Sequence, residues 1–312
     1  MNKNFFFTVI SIAAISLIAA LLIFASSLFE DKDSSSEFKI AASIFPLADI
    51  ARNIAGDNAE VVQILPSGAS PHTFDPSPSQ QAALNGSEIM FMIGHDLDNW
   101  AEKLAKNTSN NIEIIVVDSG VELEESNHET EGDYEEEGHE EEGVNPHYWM
   151  SYTNTILIAE NIKDALVKID GKNSKVYESN FEKYKSQVQA SFDNQKSLFE
   201  ELDKREIITF HDAFGYFADD LGIEVAAVVE EFPGKEPTAS YLSELGEIIE
   251  ETGIKTFFKE PQLSDSIISA LASDYNASVE NLDPIGGTSQ ETSTFLKTLE
   301  FNAQKIYNSL NE

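Results

Sequence analysis

The chain has 312 residues, 41% of them hydrophobic, which is enough for one large or two medium domains with real cores. Its formal charge of −35, from 55 acidic against 20 basic residues, excludes a nucleic-acid partner and makes cations the natural ligands. There is no cysteine, so disulfides, thiolate metal sites and cysteine nucleophiles are excluded, and any metal must be held by nitrogen and oxygen.

Residues 1–30 stand apart, with Lys3 preceding an uncharged apolar run from Phe5 to Phe29. A helix of that length spans roughly 37 Å, enough to cross a bilayer core. The run is long for a cleaved signal peptide, and Ala25-Ser26-Ser27 is a mediocre cleavage site, so an uncleaved anchor is expected, with secretion as the alternative if the segment is cut. The basic end should stay in the cytoplasm and leave the rest of the chain outside. Residues 31–37, serine-rich and polar, read as a tether.

Beyond the tether, short apolar runs alternate with amphipathic stretches. Phe38–Ile44, Glu60–Leu65, Ile89–Ile93 and Glu113–Val117 are predicted strands, separated by helices near Leu47–Ala55, Ser77–Leu84 and Asp98–Lys106. This βα rhythm predicts a parallel sheet covered on both faces, forming a first lobe over residues 38–170. Within it, residues 121–142 hold twelve Asp or Glu, with His128 and His139 and no Lys or Arg. The acidic loop 121–143 therefore reads either as solvated chain or as a weak collector of cations.

Helices follow at Tyr152–Ile169 and, after Asp170-Gly171, at Asn173–Lys204. In the second, Tyr177, Phe181, Tyr184, Val188 and Phe192 form one apolar seam, uninterrupted by Gly or Pro. Residues 171–204 are thus expected to be a rigid linker strut packed along both lobes. A second α/β lobe occupies residues 205–312. Its strands are expected at Ile207–Phe210, Glu224–Val229, Lys255–Lys259 and Ser278–Leu282, its helices near Asp212–Leu221, Thr238–Thr252, Asp265–Tyr275 and Glu291–Leu310. Thr238 is the natural N-cap of the helix it opens.

Three of the six histidines lie at the carboxyl ends of strands or in loops at that edge, where open parallel sheets bind ligands. His72 is in "SGASPHTFDPSPSQ", His147 in "VNPHYWMS", and His211 directly follows "IITF". Asp283, in "ENLDPIGG", follows the last strand in the same way. They are more than sixty residues apart, so no local metal motif exists, and taken singly each histidine reads first as a structural or surface residue. Taken jointly, three nitrogens and a carboxylate match closed tetrahedral zinc. Prolines 71, 146 and 284 stiffen three of the four positions. His95 reads as a hydrogen-bonded loop residue, and Phe210, Phe214, Tyr148 and Trp149 as apolar walls.

The segments "SPHTFDPSPSQ", "NPHYWMS", "FHDAFGYFADDLGIEV", "FPGKEPTASYLSEL", "FFKEPQLS" and "LDPIGG" occur in the order and rough spacing of the metal-binding subunits of zinc and manganese ABC transporters, which residues 38–310 resemble. The resemblance implies two α/β lobes, a rigid connecting helix and one metal in the cleft between them. It places the four ligands on His72, His147, His211 and Asp283. Glu260, in "FFKEPQ", is then expected to hydrogen-bond a ligating imidazole. Manganese-type members carry a carboxylate where this chain has His211, so the resemblance favours Zn2+ as cargo, with Mn2+ or another divalent ion as the alternative. The implied partners are a permease and its ATPase, with the subunit itself a monomer. A surface adhesin on the same fold is an alternative. A metallohydrolase is less well supported, because four protein ligands leave no open position for water.

Overall fold

A computed structural model describes residues 38–108, 111–125, 143–230, 237–262 and 266–311. The N-terminal apolar run, the tether, and the greater part of the acidic loop with His128 and His139 lie outside them. Residues 38–312 form one compact unit.

Two four-stranded parallel sheets make the frame. The first has the order β2-β1-β3-β4, from β1 (Lys39–Ala42), β2 (Glu60–Gln63), β3 (Ile89–Met92) and β4 (Glu113–Val116). The second repeats it as β6-β5-β7-β8, from β5 (Glu206–Thr209), β6 (Glu224–Val228), β7 (Thr256–Lys259) and β8 (Ser278–Asn281). The helices are α1 (Phe45–Ala55), α2 (Pro78–Ala83), α3 (Asn99–Lys106), α4 (Tyr152–Ile169), α5 (Ser174–Glu200), α6 (Gly215–Leu221), α7 (Ala239–Thr252), α8 (Ser266–Tyr275) and α9 (Phe295–Leu310). Of three short 3-10 turns among the described residues, one covers His147–Met150.

Side chains alternate across a strand, so each central strand feeds two cores. Ile89 and Phe91 of β3 join the central cluster, while Met90 and Met92 pack outward with Ala101 and Leu104 of α3. In the second sheet Ile207 and Phe258 face the central cluster, and Ile208 and Phe257 meet Leu245 and Ile249 of α7 and Leu271 of α8. The central cluster contains residues from both sheets, so the two lobes share one core.

The long helix α5 binds the halves together by packing on α4 and α1 on one side and on α9 and α6 on the other. Its buried stripe is Tyr177, Phe181, Tyr184, Val188, Ser191, Gln195 and Phe199. The expected seam therefore departs at one place. Phe192 is only partly buried and stacks on Tyr152 at 5.5 Å, because 3.6-residue periodicity carries the stripe past it to Ser191 and Gln195. At the far end of the chain, α9 returns to the first lobe, where the backbone N–H of Phe295 donates to the buried Asp49 of α1 at 2.9 Å. Gly286 and Gly287 make this approach possible. Both have positive φ, and a Cβ at Gly287 would lie 2.8 Å from the ring of Phe45.

Two predicted helix starts move inward. The helix expected from Asp212 begins at Gly215, because residues 211–214 form the turn that carries His211, and the one expected from Glu291 begins at Phe295, with the side chain of Thr294 capping it. Thr238 caps α7 as expected, accepting from the N–H of Tyr241.

Candidate metal centre

The carboxyl ends of both sheets face one cleft, and three imidazoles meet there. The ligating atoms of His72, His147 and His211 all lie within 4.8 Å of one another. His147 Nε2 is 3.0 Å from His72 Nε2 and 3.2 Å from His211 Nε2. Two nitrogens bound tetrahedrally at roughly 2.0–2.1 Å from one zinc ion would stand about 3.3 Å apart, so the spacing is that of a ligand set.

Each ring is aimed by its surroundings. Asn145 Oδ1 accepts from Nδ1 of His147 at 2.8 Å and from its backbone N–H at 3.0 Å, which leaves the Nε2 lone pair facing the cleft. Nδ1 of His211 hydrogen-bonds the buried carboxylate of Glu260, which does the same for that ring. The loop carrying His72 is tied down by Trp100, whose indole N–H donates to the carbonyl of Pro71 at 3.0 Å. Trp149 packs on His147 and donates to the carbonyl of Pro284 at 2.8 Å, which joins the His147 turn to the loop after β8.

His147 and His211 are buried, while His72 is the most open of the three. Even so, desolvation and then the charge of His211 pull the pKa of His72 down to about 3, so its nitrogen is free for a metal at neutral pH. The shift on His211 goes the other way. Burial opposes its charge, but Glu260, and behind it Asp212 and Glu230, outweigh that and raise its pKa. Glu230, at the exit of β6, thus adds a buried carboxylate to those of Glu260 and Asp283 along this sheet edge.

Asp283 is not part of the group of three histidines. Its Oδ1 accepts from the backbone N–H groups of Ile285 and Gly286 at 3.0 and 2.8 Å and from Gln262 at 3.2 Å. Its Oδ2 has a 3.5 Å contact with Thr288. The neighbouring Pro284 and Ile285 line the same cavity as the histidines. Of the apolar walls expected, Trp149 lines that cavity, whereas Tyr148, Phe210 and Phe214 are core residues. His95 pairs with Asp118 at 2.9 Å, away from the three imidazoles.

Sequence reasoning missed Asn145, Trp100 and Gln262. An Asn two residues before a His was the one available signal, because a short amide side chain reaches its own backbone two positions on.

The cavity between the rings measures about 10 Å³, room for one ion or water and far below the several hundred Å³ of an organic-ligand pocket. Two parallel-sheet lobes, a shared strut and a cavity of that size lined by imidazoles define a protein that holds a single metal ion. Comparison with known proteins agrees. Residues 40–309 match the family described as zinc-uptake complex component A, periplasmic (ZnuA). The manganese ABC transporter substrate-binding lipoprotein PsaA of Streptococcus pneumoniae serotype 4 is 27% identical over 306 residues, 94% of this chain and 96% of that one. The zinc-binding lipoprotein AdcA of the same organism is 25% identical over 304 residues, 95% of this chain and 60% of that one. A ZnuA deletion mutant solved with zinc bound superposes with a TM-score of 0.76 at 28% identity, over 88% of this chain and 98% of that one. The chain belongs to the ZnuA family, and is a metal-binding subunit of a transport system rather than an enzyme. That membership does not favour the adhesin alternative.

Proposed function

We propose that this protein captures Zn2+ outside the cytoplasm and delivers it to an ABC permease powered by a separate ATPase. The observation that carries the choice of zinc is the convergence of three imidazole nitrogens, since imidazole suits zinc whereas harder carboxylate sets suit manganese. His72, His147 and His211 serve as three ligands and Asp283 as the fourth. The Oδ2 of Asp283, with a single 3.5 Å contact, is the atom that turns to the ion. Glu260 and Asn145 stay off the metal and hold the rings. Mn2+ is the second reading, supported by the resemblance to PsaA.

The relatives named above are lipoproteins, but this chain has no cysteine to carry a thioether-linked lipid. The apolar run Phe5–Phe29 therefore acts as the membrane anchor. The acidic loop 121–143, with His128 and His139, collects cations weakly.

Elemental analysis of the protein purified without added metal, followed by affinity measurements for zinc and manganese, tests the reading. One equivalent of tightly bound zinc, lost on His147→Ala, is the expected result. Preferential manganese binding, or tight zinc binding that survives replacement of all three histidines, would overturn it.

A further inference from the structure

On the flank of the second lobe, separate from the cavity between the histidines, a groove of about 710 Å³ runs beside β6 and reaches Asn145 and Asp212. β6 is an outer strand of its sheet, so one row of its backbone N–H and C=O groups faces no neighbouring strand among the described residues. Its last four residues are partly exposed and its first is exposed. The groove takes in all of β6, with Tyr241 and Ile248 of α7 on one side and Gly215 and Ala218 of α6 on the other. The hydroxyl of Tyr241 closes one end by donating to the carbonyl of Val228 at 2.5 Å.

The chemistry of the lining has one sign. Glu124, Glu125, Asp212, Asp219, Glu224 and Glu244 all contribute, and no Lys, Arg or His lines the groove among the described residues. The crowding is strong enough to hold the carboxyl of Glu124 up to about 7, through desolvation first and then the charges of Asp219, Asp212 and Asp220. An open strand edge is a template for another strand, and natural proteins guard such edges with charge. Here the guard is selective. A second copy pairing through β6 would set six carboxylates against six, which like-charge repulsion forbids, while an extended basic segment would bring its own counterions.

We propose that the β6 groove is a docking site for an extended, lysine- or arginine-rich segment of another polypeptide, which adds as a strand to the second sheet. Main-chain hydrogen bonds to the β6 edge supply the affinity, and the ring of carboxylates selects the charge and sets the register. None of the three histidines lines this groove, although their neighbours Asn145 and Asp212 do, and the inference stands whichever metal the cleft prefers.

The test uses the full-length protein in detergent and a short fluorescein-labelled peptide of alternating lysine and valine, followed by anisotropy. Two controls accompany it: the same peptide N-methylated at alternate backbone nitrogens, and its glutamate–valine counterpart. Saturable binding of the lysine peptide is expected to persist at about 0.15 M salt. N-methylation should weaken it at least about tenfold, because several main-chain hydrogen bonds are lost. The double substitution Glu224→Lys/Glu244→Lys should weaken it by at least about as much while leaving zinc affinity unchanged. Equal binding of the N-methylated peptide, or undiminished binding to the double variant, would reduce the effect to bulk attraction by an acidic surface and overturn the proposal, as would no binding at all. In a protein without cysteine, a Val225→Cys substitution provides a unique thiol. Efficient oxidation of that variant to a dimer would show instead that the occupant of the edge is a second copy.

Discussion

Asn145 and Glu260 show how much of the arrangement of the three imidazoles is set by residues outside that group. Each binds the Nδ1 face of one imidazole and so decides which nitrogen the ring offers to the cleft. Removing such a partner frees the ring to rotate and to take the wrong tautomer. Asn145→Ala and Glu260→Ala are each expected to lower zinc affinity about 10–100-fold, less than loss of a ligand, with Glu260→Gln partly restoring it. Competition titration against a chelator of known affinity measures the series. Glu124 gives a second prediction at this scale. Its folded pKa of about 7 lies above its unfolded value of 4.5, so its contribution to stability is complete below the unfolded value and is lost as pH rises through the folded one. Glu124→Gln should therefore raise the melting temperature at about pH 8 more than at about pH 5, and shrink the difference between the two that the parent shows. Thermal melts of both proteins across that range check it. The histidines were legible in sequence because His72, His147 and His211 each fall in a segment between a strand's carboxyl end and the next helix. Of their supports, Glu260 was expected only through the family resemblance and Asn145 was missed, since a contact such as Glu260 to His211 joins positions forty-nine apart that only the β5–β7 pairing brings together.

Among the elements, the strands and long helices could be read from periodicity, because a central parallel strand is apolar on both faces and α5 repeats its stripe for seven turns. The errors fall where a loop replaces a first turn. The polar-apolar pattern of "HDAFGYFADDL" suits a helix throughout, yet the turn holding His211 occupies its first four residues. Periodicity registers which face is buried, and a turn that buries the same residues leaves no mark on it. The return of α9 to α1 was not legible either, since nothing local links Asp49 to Phe295. That link makes a firm prediction. Asp49→Ala leaves the N–H of Phe295 without its acceptor in a buried position, at a cost of about 1–3 kcal/mol. Asp49→Asn keeps an acceptor oxygen and should recover most of the loss. Urea denaturation with each variant measures the difference.

For the molecule as a whole, the four proposed metal ligands divide evenly between the halves, with His72 and His147 before α5 and His211 and Asp283 after it. An ion shared in this way acts as a staple. At one hundred times its dissociation constant, zinc should add about 2.7 kcal/mol to the stability of the folded state. The same event should move the lobes little. The strut α5 has no glycine or proline, and bending it would break backbone hydrogen bonds along a helix of 27 residues packed on both sides. Small-angle scattering with and without zinc, beside thermal melts, tests both statements, with a large gain in melting temperature and a nearly constant radius of gyration expected.

The bond from Phe295 to Asp49 also bears on the order in which the molecule can be made. α1 is among the first segments to emerge during synthesis, and the helix that completes its surroundings is the last. Until residue 295 has followed, the carboxylate of Asp49 lacks the Phe295 N–H and the face of α1 that meets α9 has no cover. The first lobe therefore completes its packing only together with the end of the second, unlike separate domains that fold one after another during synthesis. The packing of α1 is completed only once the carboxyl-terminal helix has arrived. For a protein destined for the outside of the cell, such a delay keeps the polypeptide threadable until export is complete.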